Sequence, residues 1–260
     1  MTNKPFHVGI IQATIQNLHL CAPSNNFNLM NGWHQTYSPY SMTANIHFHT
    51  NFAFHRADAG CSVTGDSVWD FHGTEQTIGF LNGHIGSSGC MISTNGSGRL
   101  NVRQTSGWAS GKSATGFQDF WYDGRFKGEM SLGLTGTRRL ILRQVETASG
   151  CVEVAESATL CFTNGASWAS ATNVSVRANG RIEAWNGNVL GRRADLTLAD
   201  SGVYEFCGEG PYVQKVRYLW LNGRRRTTGD FDSANSGGRI VGNGVIRVLG
   251  DGSDMVIKFR

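Results

Sequence analysis

The chain has 260 residues and a formal net charge of +4, with 34 Gly and 40% apolar residues but only 4 Pro and 16% charged residues. The apolar and aromatic content is ample for a core, which excludes a disordered chain, and no Lys/Arg block reaches the density of a nucleic-acid binder. No long run rich in Ala, Glu, Lys and Leu offers extended helix, so the composition points to short strands joined by Gly and Asn turns, an all-β chain.

The first apolar stretch, FHVGIIQATIQNLHLCA, is interrupted by Gln12, Gln16, Asn17 and His19. It is expected to be neither a secretory signal nor a transmembrane helix, so any export signal would lie outside this sequence. Next, ANIHFHTNFAFH alternates like a strand, which puts His47 and His49 on one face. With His55 they form the most ligand-like set in the chain, because His-x-His on a strand is a spacing that metal sites use. No carboxylate and no second histidine pair stands beside them in the sequence. Residues 1–64 show no period and are expected to form an irregular N-terminal cap or a truncated segment, with a solenoid over 65–260.

From there on, Trp69 with Phe71, Ile78 with Phe80, and Leu100 with Val102 read as inward-facing pairs. SGWASGKSATGF (106–117) reads as a loop leaving the body of the fold. A period then emerges. Leu132/Leu134 and Leu140/Leu142 recur after 20 residues as Val152/Val154 and Leu160/Phe162. After 22 more come Val174/Val176 and Ile182/Ala184, then Leu196/Leu198 and Tyr204/Phe206, and a last step lands on Tyr218/Trp220. Apolar-x-apolar is a short strand with one face inward, and two per fixed period describe stacked rungs. A sandwich has no reason to keep such a register, so the expected fold is a parallel β-helix with rungs of about 20–22 residues. Gly180 and Gly202 precede the second strand of successive rungs, where a corner needs a permissive backbone. LWLNGRRRTTGDF closes the repeats, its Asn-Gly predicting a tight reversal. Arg224, Arg225 and Arg226 then face solvent from a terminal rung, or contact an anion or acidic glycan.

Four stretches carry a family likeness: WDFHGTEQTIGFLNG, GSGRLNV, GLTGTRRLIL, and the closing LWLNGRRRTTGDF with RIVGNGVIRVLG. Over roughly 65–250 they resemble the passenger regions of bacterial autotransporter-type surface proteins built from autotransporter-associated β-strand repeats. The resemblance implies a parallel β-helix on an extracellular or cell-surface protein. The sequence departs from the family in lacking a run of barrel strands after the repeats and in carrying aromatics and cysteines where the family has small polar residues. It reads as a divergent version.

Catalytic signals are sparse. Glu183 and Glu205 stand one period apart, so they are expected to stack outward on adjacent rungs near the separation of a retaining glycosidase pair. No Ser-His-Asp arrangement, phosphate loop or dinucleotide fingerprint is present in the sequence. The six cysteines include no CxxC, and Cys151, Cys161 and Cys207 fall between inward positions, which suggests outward thiols available for disulfides or an inert reduced set. The expectation is an extracellular structural or adhesive scaffold whose partners are glycans or copies of itself, with no nucleic acid, no cofactor and no transmembrane segment. The alternative is a carbohydrate-active enzyme on the same fold: a lyase, a glycosidase or a phage tail-spike-like depolymerase.

Overall fold

The computed structural model describes residues 6–7, 15–21, 27–28, 44–51, 60–63, 68–83, 90–103, 119–163 and 165–251. His55, the loop at 106–117 and the side chain of Cys61 lie outside what it describes. The chain is a parallel β-solenoid of about 6 turns, with no helix among the described residues.

Its largest element is a sheet of eleven strands. In order it takes Ile15–Leu20, Ala44–Phe48, Val68–Asp70, Cys90–Val102, Arg125–Leu134, Val152–Val154, Asn173–Val176, Asp195–Leu198, Tyr218–Leu221 and Arg224–Arg226, with Glu75–Ile78 also paired to Cys90–Val102. A second sheet stacks Asp119–Tyr122, Arg139–Leu142, Thr159–Phe162, Arg181–Ala184, Val203–Phe206 and Ile240–Gly242. Pairing is parallel throughout both, except where the long sheet ends in a hairpin. Strands Ile15–Leu20 and Ala44–Phe48, from the stretch expected to cap the column, pair in parallel with that same sheet.

The register follows the apolar period. Leu132, Val152, Val174 and Leu196 stand in one column, and Leu140, Leu160, Ile182 and Tyr204 in another. All of these side chains are buried, so each rung adds apolar area to a continuous core, about 1.5–3 kcal/mol per large side chain. The last step breaks the period. Leu196 pairs with Leu219 and Leu198 with Leu221, so Tyr218 and Trp220, expected inward, face outward instead. One extra residue in the connection exchanges the two faces of a strand.

A third side completes the rungs from Val145 onward. Val145–Glu146 pairs with Ser167–Trp168, Trp168 bridges to Leu190, and Tyr212–Val216 pairs with Gly244–Val248. Buried Gln214 clamps that side: its amide nitrogen donates to Leu190 O and Lys215 O at 2.8 Å, and its oxygen accepts from Leu190 N at 3.0 Å. Corners are turned by two residues in the left-handed region, Ala178–Asn179 and Asp200–Ser201, followed by Gly180 and Gly202. The glycines therefore serve space rather than dihedral freedom. A Cβ on Gly202 would sit 2.1 Å from the carbonyl oxygen of Val176 in the rung below.

Candidate functional site

Two outward surfaces concentrate polar side chains. The first is a cleft of about 660 Å³ on the long sheet. Its floor is Gly133, and Arg99 extends across the space that a side chain there would fill. Arg99 donates to Asn101 Oδ1 and to Glu153 Oε2, both at 2.8 Å, while Asn101 donates to Glu75 and Arg177 pairs with Glu153. These residues come from successive rungs, so the stack itself fixes their order. Burial pushes the Glu153 carboxyl up, but hydrogen bonds and charge from Arg177 and Arg99 outweigh it and hold it below its ordinary value.

The second surface lies toward the N-terminal rungs, where strand pairing puts His47 opposite His19 on one side and Asp70 on the other. Two residues further along each strand, the chain turns and adds His49 and His72. The four imidazoles form a two-by-two array. His19 stacks on His47 with centroids 4.6 Å apart, and His49 stacks on His72 at 4.7 Å. Edge contacts tie the two stacks: His19 Nδ1 to His49 Nε2 at 2.9 Å, and His47 Nδ1 to His72 Nε2 at 3.0 Å. Asp70 closes one end, its Oδ2 lying 3.4 Å from His72 Nε2 and 3.9 Å from His47 Nδ1.

The backbone aims this group deliberately. His72 is held at φ +46 and Gly73 at φ +74, and a Cβ on Gly73 would come within 2.4 Å of Asn95 O. That turn places the His72 ring above the Asp70 carboxylate, whose Oδ1 accepts from the amides of His72 and Thr94 at 3.2 and 3.1 Å. The Thr94 hydroxyl donates to Oδ2 at 2.8 Å, and Asn95 Nδ2 meets His72 Nδ1 at 3.0 Å. Burial lowers the pKa of His47, and the neighbouring His19 lowers it further, so His47 is neutral near neutral pH.

Of the set expected to bind metal, the structure brings His47 and His49 together. The carboxylate absent from their sequence neighbourhood comes from the next rung as Asp70, together with one further histidine, His72. Both were missed, as was His19. A signal existed: LHLC, IHFH, WDFH and MIST share one alternation and fall on consecutive rungs, but the steps from His19 to His47, Asp70 and Ile92 are 28, 23 and 22 residues. Unequal connections hid the period.

The remaining candidates sit apart from both surfaces. Glu183 and Glu205 do stack in register on the second sheet, and each is engaged by an arginine, Arg139 and Arg181 respectively. Cys161 stands one rung below Glu183 but is buried under that ion pair, and burial pushes its thiol up to about 11. Burial and then Glu205 push Cys207 up to about 12. Cys21, Cys90, Cys151, Cys161 and Cys207 are free thiols, so none of these five is joined to another within the chain. Arg224, Arg225 and Arg226 lie on the last strand of the long sheet, and alternation splits them between its faces. Arg225 stacks on Tyr218 at 3.7 Å and reaches Asp251 at 3.8 Å, while Arg224 is exposed.

Comparison with protein-family models, with curated proteins and with solved structures finds no match to this chain.

Proposed function

We propose that the chain is a rigid extracellular scaffold that binds an extended glycan along the outward face of its long sheet. The observation that carries this reading is the cleft over Gly133, in which Glu75, Arg99, Asn101, Glu153 and Arg177 are cross-linked between rungs into one preorganised polar lane. Hydrogen-bonded amide, guanidinium and carboxylate groups suit sugar hydroxyls, and a lane already held in place loses little entropy on binding. Ser175, Thr197 and then half-exposed Trp220 continue the same outward row, supplying small polar steps and an aromatic face at its end. The likeness to autotransporter passengers supports the same placement at a cell surface, and no helix among the described residues is long and apolar enough to cross a membrane.

The test is a glycan-array screen joined to product analysis on the same polysaccharides. Binding without new reducing or unsaturated ends is expected, and Arg99→Ala and Asn101→Ala should each weaken it about tenfold, as loss of a hydrogen bond worth about 1.4 kcal/mol would. Binding to no glycan, or equal binding by both variants, overturns the assignment. Cleavage would replace it with the enzyme reading, to be tried first at Glu205→Gln.

A further inference from the structure

We propose that His47, Asp70 and His72 form a binding site for a divalent transition metal of the zinc class, flanked by His19 and His49. This inference is independent of glycan binding at the cleft. It rests on the spacing of three donor atoms contributed by two adjacent rungs. His47 Nδ1, His72 Nε2 and Asp70 Oδ2 form a triangle with sides of 3.0, 3.4 and 3.9 Å. Donors about 2.0–2.1 Å from a tetrahedral ion lie roughly 3.3 Å from one another, so the triangle is one face of such a coordination shell. An ion seated over it takes the place of the hydrogen bond between His47 and His72.

The donor set chooses the class of metal. Two imidazoles and one carboxylate suit zinc, cobalt or ferrous iron, whereas calcium and magnesium take oxygen shells. The supporting groups have the arrangement such sites need. Asp70 is only 7% exposed and is oriented by Thr94 through both its amide and its hydroxyl. The remaining His72 nitrogen, Nδ1, faces Thr94 Oγ1 at 3.2 Å and the Asn95 side chain at 3.0 Å. Half a turn of the Asn95 amide presents its oxygen to the N–H that metal ligation at Nε2 requires. The left-handed backbone at His72 gives the ring its position before any ion arrives, so the site is preorganised. The fourth position of the shell is left for water, with exposed His49 stacked on the His72 ring beside it.

Titrating the full chain with Co²⁺ and Zn²⁺, by absorption and by calorimetry, decides the matter. One ion per chain is expected, with visible Co²⁺ bands of a nitrogen–oxygen site that Zn²⁺ bleaches by displacement. Asp70→Asn and His72→Gln should lower affinity by more than 100-fold, and Thr94→Val, which removes only an orienting hydroxyl, by about 10-fold. Circular dichroism checks that each variant is folded, and the wild-type Co²⁺ spectrum answers the question should a variant fail to fold. No stoichiometric uptake by the wild type, or uptake unchanged in the Asp70 and His72 variants, overturns the site.

Discussion

Glu146 is a carboxyl group almost wholly enclosed on the third side of the solenoid, among the rings of Phe126, Trp168 and Tyr122. One oxygen accepts from the Phe126 amide, and the other has no hydrogen-bond partner among the described residues. Burial raises its pKa to about 8 against an ordinary 4.5, so the folded chain keeps a proton that the unfolded chain releases. The folded pKa is the higher one. The contribution to stability is therefore complete below about 4.5, declines as pH rises, and is gone above about 8, with a slope of at most about 1.4 kcal/mol per pH unit. Glu146→Gln keeps the shape without the ionisation, so its urea midpoint should lose that decline between pH 5 and 9 and exceed the wild type's at the alkaline end. Identical pH profiles for the two proteins would refute the assignment. At this scale the sequence was least legible. His47 and His49 showed as a ligand-like pair because two residues of alternation bring them together locally. Asp70 and His72 could not be attached to them, because only pairing across rungs does that.

At the level of elements, rung spacing constrains corner residues more tightly than dihedral preference. Ala178, Asn179, Asp200 and Ser201 all adopt positive φ, and the glycine after each pair leaves room for the rung below. Gly202→Ala must push apart Gly202 and the Val176 carbonyl, and should cost about 1–3 kcal/mol in chemical denaturation. A variant as stable as the wild type would show that the corner yields freely. The strand Tyr218–Leu221 shows the opposite sensitivity. Its apolar pattern, YLWL, offers two pairs for burial, and the sequence period selected Tyr218 with Trp220. The connection decided for Leu219 with Leu221, which leaves the larger aromatics outside: Tyr218 against the guanidiniums of Arg217 and Arg225, and Trp220 half exposed. A run apolar on both faces carries no register of its own.

For the molecule as a whole, a parallel stack leaves an unpaired strand edge at each end, and edges recruit other chains. The long sheet finishes in an antiparallel strand, Arg224–Arg226, folded back through the left-handed pair Asn222 and Gly223. Three consecutive arginines on an edge oppose docking of an identical edge by charge and by the desolvation it would require. End-to-end stacking, which an open column invites, is thus resisted at this end. Replacing Arg224, Arg225 and Arg226 together by Thr should produce oligomers that grow with concentration in light scattering. A strictly monomeric variant would mean that the arginines do not guard the edge.

The sequence by itself determined the fold class, the parallel stacking and most of the inward columns. Those follow from apolar-x-apolar repeats whose period is readable wherever connections keep equal length, as from Val152 to Phe206. It also located the closing Asn222–Gly223 turn, a local property of two residues. Only the tertiary structure decided which side chains from different rungs meet. The third side, the cleft over Gly133 and the array of His19, His47, His49 and His72 beside Asp70 all depend on register between strands 20 to 32 residues apart. Chain separation says nothing of such contacts when the connecting loops differ in length, whereas backbone hydrogen bonding between rungs fixes them to within a residue.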